Sequence, residues 1–127
     1  MTIAISRIRA AHIPGKGRGL MASEAIASGD VIDRSTTIPL SAADCDLLEL
    51  SAVGDYYFAH PEDAEAGLVV LGLTSLCNHS NMPNAELRWQ RDDSVGWLAE
   101  LYALRPIAEG EEITRRYRCD PWFKVAS

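Results

Sequence analysis

Ala85, Leu87 and Trp89 alternate with Glu86, Arg88 and Gln90, the period of two that a half-buried strand requires. Asp92-Asp93-Ser94 then supplies turn chemistry and sends the chain into a partner strand from Val95 to Leu104. Shorter apolar runs predict further strands. Ile3, Ile5 and Ile8 mark the first, Leu20-Met21-Ala22 the second, and Val31-Ile32-Asp33 opens a third. Tyr56-Tyr57-Phe58 and Leu68 to Leu71 have the same character. Pro14 to Gly19 reads as a turn or loop, because glycine permits positive φ and proline fixes its own. Ser28-Gly29-Asp30 is a second turn, and Gly110-Glu111 a third, leading into a short strand that ends in Tyr117. One helix is predicted over about 41–53: Ser41 is a good N-cap, Asp44 stands three residues on, and Leu47, Leu48 and Leu50 follow. The sum is a mostly β domain of short strands, with no internal repeat and no low-complexity segment.

A chain of 127 residues fits a single domain, residues 1–127, and can bury a core without staples. Its 47% hydrophobic and 24% charged residues are those of an ordinary soluble globular protein. No stretch approaches the roughly 18 apolar residues of a membrane span, and the N-terminus lacks the layout of a secretory signal. The expected compartment is the cytoplasm, or the nucleus in a eukaryote; the excess of Arg over Lys hints at a GC-rich bacterial genome. Cys45, Cys77 and Cys119 are odd in number and without a Cys-x-x-Cys pair, so free thiols are expected rather than a disulfide framework or a zinc site.

The net charge of -6 argues against nucleic acid as a partner. Its distribution says more. Between Arg34 and Arg88 there is no Lys or Arg, while Asp44, Asp46, Glu49, Asp55, Glu62, Asp63, Glu65 and Glu86 fall there. That segment is either a field that attracts cations or a solvated acidic face.

Three segments carry candidate chemistry. Gly15-Lys16-Gly17-Arg18-Gly19 lets main-chain N–H groups approach a ligand, but no Gly-Lys-Ser/Thr opens a helix, so it is not a phosphate loop. Asn78-His79-Ser80-Asn81-Met82-Pro83-Asn84 concentrates hydrogen-bonding groups where a plain loop needs few; a turn held by Asx bonds is the simpler reading. No second His or Cys sits at ligand spacing from His79, so no metal is expected. Gly110-Glu111-Glu112-Ile113-Thr114-Arg115-Arg116-Tyr117 is, alone, a turn and a strand.

In order and spacing the three segments together resemble the SET-domain methyltransferases, from about Ile13 to Phe123, and most closely the short members without flanking zinc modules. The resemblance implies a SET-domain (β-clip) fold of small curled sheets, with one or two short helices and a C-terminal strand threaded beneath a loop in a pseudoknot-like arrangement. It implies an enzyme that uses S-adenosylmethionine to methylate a lysine of a basic protein or peptide; the alternative is a non-catalytic module of the same fold that binds basic peptides. By the same carry-over Gly17 and Gly19 would meet the cofactor through main chain, and Lys16 or Arg18 its carboxylate. Asn78 and His79 would hold its amino acid part and adenine. Tyr117 would stand at the methyl-transfer centre. Trp122 and Phe123 would form an aromatic lid within about 118–127, Trp122 over the cofactor and Phe123 along the substrate channel. Tyr56 or Tyr57 would line that channel, or else pack in the core. The family often has Asp where this chain has Arg116. A chain this short is also expected to pair as a homodimer, the commonest way to add surface to a groove.

Overall fold

Among residues 6–117, the part of the chain that this computed structural model describes, nine strands form two sheets. β1 (Ile8–Ile13) and β2 (Gly17–Ala22) make a hairpin whose register runs from Ile8↔Ala22 to Ile13↔Gly17. Its turn is closed by the Lys16 N–H donating to the Ile13 carbonyl at 3.0 Å, with Gly15 at φ 79° and Gly17 at φ 82°. The predicted loop therefore ends at Lys16. Gly17, Arg18 and Gly19 belong to β2 because each pairs with β1, which glycine's lack of a side chain does not prevent. Of the isoleucines predicted to mark the first strand, Ile8 opens β1; Ile3 and Ile5 lie outside the described residues.

β3 (Val31–Leu40), β4 (Tyr57–Ala59), β5 (Gly67–Val70), β7 (Ala85–Asp92) and β8 (Gly96–Ala103) form the larger sheet, in the order β4-β5-β3-β8-β7. The alternation on β7 is real: Ala85 is buried and Leu87 and Trp89 half-buried, while Glu86, Arg88 and Gln90 are exposed. Asp92 Oδ1 accepts from Ser94 N (2.8 Å) and Val95 N (3.0 Å), which fixes the β7–β8 turn where the sequence puts it.

The predicted helix is shorter than expected. α1 (Ala42–Leu48) starts at a capping box, with Ser41 Oγ accepting from Asp44 N at 3.1 Å and Asp44 accepting from Ser41 N at 3.2 Å. It stops because Ser51 Oγ donates to the Leu48 carbonyl at 2.8 Å, a local bond that competes with the helical ladder. Leu47 and Leu50 are also 68% and 87% exposed, so no core holds a further turn in place. A 3-10 turn at Ala52–Asp55 takes up the rest.

The smaller sheet has the order β1-β2-β9-β6, where β6 is Asn78–His79 and β9 is Glu112–Arg115. β9 lies antiparallel to β2 (Leu20↔Ile113) and parallel to β6 (Asn78↔Thr114, His79↔Arg115). The main core fills the space between the two sheets: Ile8, Leu20, Ala22 and Ile113 meet Ile32, Ala85, Leu101 and Ala103. The mostly β fold with small curled sheets and one helix is thus the one the resemblance implies. The expected threading and lid, with Trp122, Phe123 and Cys119, lie outside the described residues.

Candidate active site

The site is built around β9, and Asn84 holds it there. Asn84 is 2% exposed. Its Nδ2 donates to the Glu112 carbonyl (2.8 Å) and to Glu111 Oε2 (3.0 Å), and its Oδ1 accepts from Thr114 N (2.9 Å). One amide side chain thereby satisfies main-chain groups on two residues of a strand that would otherwise be buried without partners. Asn84, the last residue of the 78–84 segment, is structural, and the sequence alone left its role unassigned.

On one side of β9 a polar corner forms. Glu112 accepts from Lys16 Nζ and from Asn78 Nδ2, both at 3.0 Å, with the Lys16 and Glu112 side chains only 16% and 19% exposed. Asn78 Nδ2 also donates to the Arg18 carbonyl at 3.3 Å. A Cβ at Gly19 would fall 2.6 Å from Ile13 Cγ1 and 2.7 Å from Asn78 Nδ2, so glycine is what lets Asn78 approach β2. A Cβ at Gly17 would meet nothing within 4 Å. Lys16, Gly19, Asn78 and the Arg18 carbonyl therefore meet at this corner. Glu112, which joins them, was not foreseen; the only sequence signal was a carboxylate in the last motif, indistinguishable from a turn residue.

On the other side stand His79 and Tyr117. His79 is buried, and both ring nitrogens face protein: Nδ1 accepts from Tyr117 N at 3.0 Å and Nε2 lies 3.0 Å from Asn81 Oδ1. That pairing fits the neutral ring with its proton on Nε2. The imidazole thereby positions the Tyr117 main chain. The two rings pack edge to face, 5.1 Å apart. The Tyr117 hydroxyl donates to the Cys77 carbonyl at 3.2 Å. Burial raises its pKa, and the Arg115 cation pulls it partly back, so at neutral pH it is a protonated donor. Burial pushes the Cys77 thiol up to about 12, which makes it a packing group and not a nucleophile.

Tyr117 opens onto a cleft of about 1090 Å³. Tyr56, Tyr57 and Phe58 line it opposite Arg115, Arg116 and Tyr117, with Asp46, Glu49, Asp55, Glu65 and Glu86 around it. Both tyrosines reach the cleft. Tyr56 OH accepts from Arg18 Nη2 at 3.3 Å, which ties the cleft to the β2 corner, and Tyr57 OH donates to Glu49 at 2.8 Å. Arg116 is exposed and donates to the Asn81 carbonyl at 2.5 Å, so the departure from the usual Asp puts a charge outward. The unforeseen charge is Arg115, whose guanidinium carbon lies 4.5 Å from the Phe58 ring centre and 4.4 Å from that of Tyr117. In the sequence it was one of two adjacent arginines, with nothing to say which turned inward. Among the described residues no group of three His, Cys, Asp or Glu could hold a metal ion.

A family model described as SET domain matches residues 17–118. Solved structures with a similar fold include a Plasmodium falciparum candidate histone methyltransferase, at 24% identity over 95% of this chain and 100% of that one, with a TM-score of 0.74. The Neurospora SET-domain protein DIM-5, a histone lysine methyltransferase, aligns at 18% identity over 94% of this chain and 55% of its own, with a TM-score of 0.67. The Chaetomium thermophilum Polycomb Repressive Complex 2, in an autoinhibited conformation bound to S-adenosylmethionine, aligns at 21% identity over 91% of this chain and 15% of its own, with a TM-score of 0.73. At these identities the likeness is one of fold. No curated protein matches the chain.

Proposed function

Since this chain belongs to the SET-domain family, we propose that it is a protein methyltransferase that uses S-adenosylmethionine to methylate a lysine on a basic protein segment. The observation that supports this best is the placement of Tyr117: His79 holds its main chain, the Cys77 carbonyl takes its hydroxyl, and it borders the cleft lined by Tyr56 and Phe58.

The polar corner suits the cofactor. Gly17 carries no side chain to crowd a ligand on its open side, and Lys16 and Arg18 are cations for a carboxylate. Glu112 already engages Lys16 and Asn78, so it orders both before any ligand arrives. When bound, S-adenosylmethionine supplies a methyl group on a positively charged sulfur. The chain's own part is chiefly alignment, since an in-line displacement gains most from holding the reacting atoms in register. Tyr117 and the nearby main-chain oxygens would stabilise the positive charge around the moving methyl group. Tyr56 and Phe58 exclude water from an entering side chain, which favours the neutral amine over the ammonium, whose free pKa is about 10.4. The acidic residues around the cleft favour a Lys/Arg-rich segment, chiefly through its rate of encounter.

The test is calorimetry with S-adenosylmethionine followed by transfer of labelled methyl to a Lys-rich peptide. Wild type should bind and transfer, and Asn78→Ala should bind about tenfold more weakly, the loss of one buried hydrogen bond. Binding without transfer would make the chain a non-catalytic module that reads basic peptides.

A further inference from the structure

Arg115 is an odd residue to find in this cleft. It is the last residue of β9, and its main chain is fixed by pairing with His79 and by its carbonyl accepting from Ser80 N at 3.0 Å. Its side chain has no freedom to leave without unstacking from both Phe58 and Tyr117. It forms no ion pair among the described residues, and its Nε is buried without a hydrogen-bond partner. A guanidinium keeps its proton in such a place, because its intrinsic pKa is far above neutrality. Burial lowers that pKa without bringing a neutralising partner.

The groups around it do not cancel its charge. Cys77 and Tyr117, packed closest, are neutral at ordinary pH, for burial raises both. Asp46, Glu49, Asp55, Glu65 and Glu86 line the cleft from other elements, but the ion pairs among the described residues do not include Arg115. Glu49 is engaged by Tyr57 and Glu86 by Tyr102. Arg116 adds a second positive charge nearer the solvent. The cleft is thus negative at its walls and positive beside Tyr117. Aromatic faces that would otherwise favour an entering cation already hold the chain's own.

The geometry points to Arg115 as the charge-selecting residue of the cleft: its fixed cation admits an acceptor amine in the neutral form and disfavours the ammonium. This rests on the reading of the cleft as the acceptor site and adds to it a role that no acidic or aromatic wall can fill. Like charges a few ångströms apart in a partly buried site lower the pKa of the titratable one, and an amine beside a fixed cation loses its proton to water at lower pH. The acidic walls would draw in a basic segment, and Arg115 would then select the reactive form of its lysine.

Two measurements test this. In the first, kcat against pH is compared for wild type, Arg115→Met and Arg115→Lys. The rising limb should move up by at least about one pH unit in Arg115→Met and stay near wild type in Arg115→Lys, since only charge is at issue. The second needs no catalysis: affinity for two otherwise identical peptides, one with norleucine and one with trimethyllysine at the acceptor position. Wild type should prefer norleucine, and Arg115→Met should shift the ratio by about tenfold toward trimethyllysine. An unmoved limb together with an unchanged ratio would overturn the inference. Should the ratio shift while no variant transfers methyl to any peptide, the charge selection stands and the methyltransferase reading is what fails.

Discussion

The β6–β9 seam and the segment from 41 to 66 both supply walls of the same cleft, yet they are held in opposite ways. Along the seam, Cys77, His79, Asn84, Ile113 and Thr114 are buried, and side chains distant in sequence satisfy main-chain groups across it. In the 41–66 segment only Cys45 and Phe58 are buried, while Leu47, Leu50 and Val53 stand exposed beside a row of carboxylates. The seam spends its residues on fixing a few atoms in place. The acidic segment has few contacts to lose and presents charge. Chemistry that depends on alignment belongs to the first kind of construction, and recognition of a charged, variable partner to the second.

If that division is right, substitutions on the two sides should fail differently. The largest loss is expected from Asn84→Ala, which strands the Thr114 N–H and the Glu112 carbonyl; it should cost about 3 kcal/mol of stability in urea unfolding. Tyr117→Phe should leave stability and peptide affinity near wild type but slow turnover by about a hundredfold, which corresponds to roughly 2.7 kcal/mol of barrier. Gly19→Ala should cost about 2 kcal/mol or less and weaken cofactor binding, because the new methyl meets Ile13 and Asn78. The smallest stability effect, below about 0.5 kcal/mol, should come from replacing Glu62, Asp63 and Glu65 with Gln, Asn and Gln. That variant should keep cofactor affinity but lose part of the salt dependence of activity on a basic peptide, since attraction between exposed charges is screened within about 8–10 Å at physiological salt. A severe folding loss there, or none at Asn84, would erase the contrast.

The strands were legible wherever a local period carried them. The β7–β8 hairpin follows from alternation and an Asp-rich turn, and the capping box of α1 from Ser41 and Asp44 alone. The end of α1 was not legible, because it depends on one serine hydroxyl competing for a carbonyl and on the absence of a core beneath Leu47 and Leu50. Of the site, Lys16, Gly17, Gly19, Asn78, His79 and Tyr117 came from motif resemblance; the structure brings all of these but Gly17 around β9, and Gly17 pairs with Ile13 in the hairpin. Tyr56 and Tyr57 could be paired with the cleft only once β4 had been placed. Glu112, Asn84 and Arg115 escaped because their roles depend on partners far away in the sequence: Asn84 reaches 27 to 30 residues to β9, Asn78 reaches 34 residues to Glu112, and Phe58 comes to Arg115 from β4. No local pattern tells an arginine that solvates a turn from one that stacks between two rings.

The most direct test of the central claim is mass spectrometry of a proteome incubated with the protein and labelled S-adenosylmethionine. The label should appear on lysines within basic segments, and Tyr117→Phe should remove nearly all of it. No label above background, or label on residues other than lysine, would contradict the assignment.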